Sequence, residues 1–237
     1  MPKNVAHTDA LHISGQLRWL VYEQDTILLD LADGRYFGLD AVASQIWLRL
    51  AAGLFAEDIA NHIADQNGLG SERASSDVRA FICKSLAARL LVSGPMQLPK
   101  PAIITPKLRS RMMPLTLLAW QCLCTASMRL KNAPFGVAYH GYANLAASSL
   151  AAIPAPWLAA FRRAENLHPL PQAPKDCLPR SLALLHFLRL LGVRADHVIG
   201  IARDPFRAHA WVECAGLAIN EPSDLGRRFR VLARLAA

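Results

Sequence analysis

The spacing of hydrophobic positions changes character near residue 40. Before it, "LRWLVYE" (17–23) and "TILLDLA" (26–32) are short runs rich in strand-forming residues, separated by Gln24 and Asp25. Asp33-Gly34 supplies a turn before "RYFGLD", so three short antiparallel strands are expected. After it the apolar spacing becomes helical. Asp40 is placed to cap "AVASQIWLRLAAG", with Val42, Ile46 and Leu50 on one side and Gly53 as its stop. "AEDIANHIADQNG" reads as a second helix ending at Gly68. "SERASSDVRAFICKSLAARLLV" reads as a third, with Val78, Phe81, Ile82, Leu86 and Leu90 aligned. Three strands followed by three helices predict a winged-helix-like module.

Further along, "PLTLLAWQCLCTASM" (114–128) is apolar enough for a buried helix, but too short and too polar to span a membrane. "PKDCLPRSLALLHFLR" (174–189) predicts another helix. Asp176 is a suitable N-cap, and Pro179 is tolerated in a first turn, where backbone donors lack intrahelical partners. Leu178, Leu182, Leu185 and Leu188 follow at helical spacing, and Gly192 ends it. Segments 197–203 and 208–213 read as strands broken by Asp204-Pro205. The fold class expected is α+β.

Charge divides the 237 residues in two. Residues 1–95 hold 8 basic and 11 acidic side chains, whereas residues 96–237 hold 18 basic and 7 acidic. The boundary falls near "SGPMQLPKPAIITP" (93–106), whose four prolines disfavour regular structure. Domains at 1–95 and 106–237 are expected. A winged-helix shape suggests DNA, but replacing condensed counterions needs a basic face, and the first part is net acidic. Arg73, Arg79, Lys84 and Arg89 on its third helix are interrupted by Glu72 and Asp77, so no nucleic-acid partner is expected. The start of the chain has no apolar signal core, and five cysteines form no disulfide framework; a cytoplasmic protein with reduced thiols is expected. Cys122 and Cys124 lack a second Cys or His pair, so no metal site is expected.

Cys177 is the cysteine with a chemical setting. A thiol on a helix's first turn feels the positive end of the helix dipole, which favours thiolate. His209, 32 positions later, lies near the start of a strand. Thiol proteases and transglutaminase-like acyl transferases need this pair, plus a third group that fixes the imidazole tautomer and supports its cation. "WVECAGLAIN" reads as a hairpin with Gly216 its only turn-former. A three-residue loop at 214–216 would set residue 213 opposite 217, and so His209 opposite Glu221 on one face with Trp211 and Glu213. Glu221 is the favoured third member, with Asn220 and Asp224 as alternatives.

Two resemblances extend this reading. "DGRYFGLDAVASQIWLRLAAG" resembles the precursor-recognition domains of ribosomal peptide maturation systems, similar to the pyrroloquinoline-quinone peptide chaperone. The resemblance implies that a leader peptide adds a strand to an open sheet edge near Tyr36 and Phe37, against Val78, Phe81 and Ile82 on the third helix. "CLPRSLALLHFLRLLGV" with "VIGIARDPFRAHAWVE" resembles the leader peptidases of lasso-peptide biosynthesis, a branch of the transglutaminase-like cysteine proteases. That resemblance implies the fused form, with a recognition element at 1–95 and a transglutaminase/papain-like protease at 106–237, joined by helices. The family's nucleophile falls on Cys177, its histidine on His209, and its acidic member, more often Asp, on Glu221. It implies cleavage of the leader–core bond of a lasso precursor. The freed amine then passes to an asparagine-synthetase-like cyclase, which uses the ATP. This chain has no G-x-x-x-x-G-K-[ST] phosphate loop, and no cofactor is expected in it. Acyl transfer by the same Cys–His pair, or peptide binding without catalysis, remains open.

Overall fold

The computed structural model describes residues 11–93, 113–143, 153–168, 177–222 and 224–236. Its chain divides into two compact units, one of 1–30 with 35–99 and one of 31–34 with 100–237. The proline-bearing stretch 94–106 lies outside the described residues, as does the expected N-cap Asp176.

In the first unit, β1 (Leu11–Ile13) precedes the meander β2 (Leu17–Tyr22), β3 (Asp25–Asp30) and β4 (Tyr36–Leu39). The three strands pair antiparallel in the order β2-β3-β4. Helices α1 (Ala41–Ala51), α2 (Ala56–Asn67) and α3 (Ser71–Ala87) follow. Asp40 accepts the Ala43 N–H at 2.8 Å, as its position before an apolar stripe suggests. Leu28, Trp47, Ile59, Ile63, Ala74 and Val78 form a core in which each helix contributes one stripe. The third helix is shorter than its apolar run. Arg89 takes a left-handed conformation, φ 60°, and Leu90 N–H returns to Ser85 O at 2.8 Å, a C-cap made without glycine. Leu91 and Val92 therefore leave the helix for β5 (Leu91–Ser93), which pairs with β1.

The second unit contains α4 (Leu115–Asn132), α5 (Phe135–His140), α6 (Ala155–Leu167) and α7 (Cys177–Leu190), then β6 (Asp196–Ala202), β7 (Arg207–Cys214), β8 (Leu217–Ile219), α8 (Leu225–Arg228) and β9 (Arg230–Leu235). Its antiparallel sheet has the order β8-β7-β6-β9. The edge strand β9 has no counterpart in the expected elements. The α+β class and the helical run at 114–128 agree with the sequence reading. Helix α7 is buried on all sides from Ser181 to Arg189. Gly192, at φ 85°, ends it, and the buried Arg189 guanidinium donates to the carbonyls of Ala195 and Tyr142. That guanidinium holds the turn that sends the chain from α7 into β6.

A polar chain fixes the first turn of α7 from inside. Ser181 Oγ donates to Leu178 O at 3.0 Å and lies 2.8 Å from His197 Nε2 on β6. His197 Nδ1 lies 3.3 Å from the Tyr139 hydroxyl on α5. Burial lowers the His197 pKa from 6.5 to about 3, with Arg189 adding to the effect, so the ring is neutral and every link can be a hydrogen bond. Among the described residues, no helix is long and apolar enough to cross a membrane.

Candidate active site

The hairpin after β7 does not have the loop expected of it. Its turn is two residues, Ala215 and Gly216, with φ 50° and 78°, the left-handed pair of a type I′ turn that suits the twist of the strands. Val212 pairs with Ile219, Glu213 with Ala218 and Cys214 with Leu217. An extended ladder in that register would place Glu221 opposite Ala210, on the face away from His209. It is not extended: β8 ends at Ile219, and Asn220 adopts φ 62°. This one left-handed residue turns the chain, and Glu221 Oε2 reaches His209 Nε2 at 3.2 Å. The register expectation was wrong, yet the two side chains meet.

Cys177, the first described residue of α7, completes the cluster through a side-chain hydrogen bond to His209. With Nε2 on the carboxylate, Nδ1 is the ring nitrogen available to the thiol. The His209 pKa is raised from 6.5 to about 9, first by the hydrogen bond to Cys177, then by that to Glu221. Both partners add Coulombic attraction, and partial burial opposes it. The imidazolium therefore persists through neutral pH. Asp224 stands apart, its carboxylate 3.8 Å from Arg228.

The histidine ring is held by aromatic neighbours. Trp211 lies near-parallel to it with centroids 6.1 Å apart, and Phe229 is 5.4 Å away. Trp211 Nε1 donates to Glu213 Oε1 at 2.9 Å, and Glu213 Oε2 meets Arg234 Nη1 of β9 at 2.7 Å. Gly200, paired with His209, makes room for the indole: a Cβ there would lie 2.5 Å from Trp211 Cη2. Trp211 and Glu213 share the histidine's face, as strand alternation indicates. Phe229, the C-cap of α8 just before β9, was missed together with both elements. Cys177 and Glu221 open onto a shallow cleft whose walls include Phe161, Glu165, Arg180 and Asn220.

A second thiol–imidazole contact shows what the first achieves. Cys124 Sγ lies 3.5 Å from His168 Nε2, but burial raises the Cys124 pKa and lowers that of His168. Both shifts oppose an ion pair. Cys122 is buried, its pKa pushed up to about 12, while Cys214 is buried and donates to Arg194 O.

In the first unit, Tyr36 and Phe37 lie on β4, an edge of the sheet among the described residues. Phe37 pairs with Leu28 and packs against the core, so Tyr36 is on the opposite face. Val78 is 1% exposed and Ile82 8%, because the stripe 74-78-82 is the inward side of α3. Of the three expected groove residues on that helix, Phe81, one position off the stripe, keeps the most accessible surface.

Comparison with known proteins agrees with two modules in this order. Residues 25–91 match the family model of coenzyme PQQ synthesis protein D, and residues 137–234 match that of the transglutaminase-like superfamily. The chain is 37% identical over 60 residues to the microcin J25-processing protein McjB of Escherichia coli, a match covering 25% of this chain and 29% of that protein. The solved structure "TbiB1 in Complex with the TbiA(beta) Leader Peptide" is 33% identical, covering 33% of this chain and 92% of that one, with a TM-score of 0.33. The resemblance to lasso-peptide leader peptidases drawn from the two motif regions is borne out by the two family-model matches and by the similarity to the microcin J25-processing protein.

Proposed function

We propose that this chain is a cysteine peptidase that holds the leader of a lasso-peptide precursor and cleaves the leader–core bond. The observation that carries the reading is the meeting of Cys177, His209 and Glu221 around an imidazole whose pKa is raised to about 9. The Cys177 thiolate attacks the carbonyl carbon of the junction peptide. The tetrahedral oxyanion is met by the Cys177 backbone N–H, in the first described turn of α7. His209 protonates the departing amine, leaving a thioester on Sγ and a free core N-terminus. His209, now neutral, takes a proton from water. The hydroxide adds to the thioester, and collapse expels the thiolate and frees the leader's carboxylate. Glu221 keeps the ring oriented and stabilises the cation each time it forms.

The leader would bind in the first unit as a strand added to β4, with Tyr36, Phe37 and Phe81 nearby and Val78 and Ile82 supporting the groove from the core. The similarity of residues 25–91 to a peptide-maturation recognition module, and of a 60-residue segment to the microcin J25-processing protein, supports this division of labour. The freed amine suits an ATP-using, asparagine-synthetase-like cyclase acting next. The site lies in the cytoplasm, where the thiol stays reduced.

Incubation with a lasso precursor peptide tests the reading by mass. Two fragments whose masses sum to precursor plus water, with none from Cys177→Ala, are expected. A leader fragment carrying an added amine would instead identify acyl transfer, and turnover by Cys177→Ala would end the nucleophile assignment.

A further inference from the structure

The left-handed turn at Asn220 is braced from a helix that carries none of the three reacting side chains. Asn220 Oδ1 accepts from Arg162 Nε of α6 at 2.6 Å, and Asn220 Nδ2 lies 3.5 Å from Glu165 Oε2, one turn further along that helix. Glu165 Oε1 in turn accepts from Arg180 Nε and Nη2 at 2.9 and 2.8 Å. Arg180 stands in the first turn of α7, three residues after Cys177. One helix therefore grips both the strand end that delivers Glu221 and the helix start that delivers Cys177.

The chemistry of position 220 is narrow. It must tolerate φ 62°, which a residue with a short polar side chain does more readily than a bulky or branched one. It must also accept from a guanidinium and donate to a carboxylate at once, and an amide does both where a carboxylate cannot. Without the turn, the two-residue hairpin would carry Glu221 to the face away from His209. We propose that Asn220 is a positioning residue, and that Arg162, Glu165 and Arg180 form with it a brace setting Glu221 and Cys177 together around His209. The brace rests on the catalytic reading above, but acts through Glu221 and not on substrate.

The test is site-resolved alkylation of Cys177 by iodoacetamide across pH in the full-length protein, with peptide mass separating Cys177 from the exposed Cys83. His209→Ala serves as the reference for an unpaired thiol. In the wild type the rate should carry an inflection from His209 near 9. Asn220→Ala should move it down by roughly one pH unit and lower precursor-cleavage kcat about tenfold at unchanged KM. Asn220→Gly, which permits the left-handed backbone but lacks the clamp, should fall between the two. Should Asn220→Ala fail to fold, Asn220→Gly and Arg162→Ala decide, each with a smaller shift in the same direction. Asn220→Asp keeps the Arg162 contact but sets a carboxylate against Glu165, and should resemble Asn220→Gly. Wild-type inflection and kcat in all the folded variants would overturn the brace while leaving the catalytic reading intact. A wild-type profile identical to that of His209→Ala would sink both.

Discussion

The two units solve different problems with the same elements. In the first, each helix is amphipathic and contributes one stripe to a core beneath a three-stranded sheet. In the second, α7 is buried all round from Ser181 to Arg189, and its first described residue and a residue beyond β8 both meet His209 of β7. Local pattern suffices for the first arrangement. The second needs partners distant in sequence, and its electrostatics follow: His209 gains a proton at neutral pH because Cys177 and Glu221 surround it. Charge separates the units too, acidic residues prevailing before residue 96 and basic ones after it. The contrast predicts that chemistry and recognition can be damaged independently.

After loss of the Cys177 nucleophile itself, the largest effect should come from His209→Ala. Removing the acid that protonates the leaving amine is expected to reduce kcat by at least about 10³-fold, with leader affinity within roughly twofold of wild type by titration. Glu221→Gln keeps shape and one acceptor but loses the charge, and should reduce kcat on the order of 10²-fold. Glu221→Asp should retain more activity than Glu221→Gln, since charge outweighs reach where the turn can adjust. A Gln variant as active as the Asp variant would assign Glu221 a packing role only.

Separating the units sharpens the comparison further. Residues 1–95 alone should bind the leader. Residues 106–237 should keep Cys177 reactive but cleave poorly, with partial recovery when the first part is added in trans, because a linker acts by raising effective concentration. No leader affinity in 1–95 would refute the recognition assignment.

Gly200→Ala tests the aromatic support. A Cβ 2.5 Å from the indole forces Trp211 to shift, which should cost about 1–3 kcal/mol of stability in urea unfolding and move the ring on which His209 stacks. Wild-type stability and activity would show that the Trp211 position is not critical.

The smallest effect is a slope of stability with pH. His186 and His197 are buried, with pKa lowered from 6.5 to about 4 and about 3 by desolvation. Below 6.5 the unfolded chain binds protons that the folded chain refuses, so stability should fall from neutral pH toward 4. His209 acts with the opposite sign. Its pKa is raised to about 9, so its contribution is complete below 6.5 and is lost as pH rises through about 9. Urea midpoints lower at pH 5 than at pH 7.5 are expected, and a flat profile would contradict the neutral, buried state of His186 and His197.

How far the sequence could be read follows the same contrast. Asp40, Gly53 and Gly68 mark their helices because caps and left-handed glycines act within a few residues. The end of α3 escaped, since Arg89 does without glycine what a glycine would announce. The helix that begins at Cys177 and the strand that carries His209 were legible from their local spacing. The register beside Glu221 is not legible: Gly216 is the only evident turn-former in the sequence, whereas Ala215 also adopts positive φ. The compensating turn at Asn220 depends on Arg162 and Glu165, more than fifty residues earlier, and no spacing rule connects them.

The central claim is that one unit holds the leader while the other cuts. Its most direct test is a single preparation of full-length Cys177→Ala, titrated with leader peptide and then incubated with intact precursor. Wild-type leader affinity together with no cleavage product is the predicted result. Loss of leader affinity, or product formed at a substantial fraction of the wild-type rate, would contradict it.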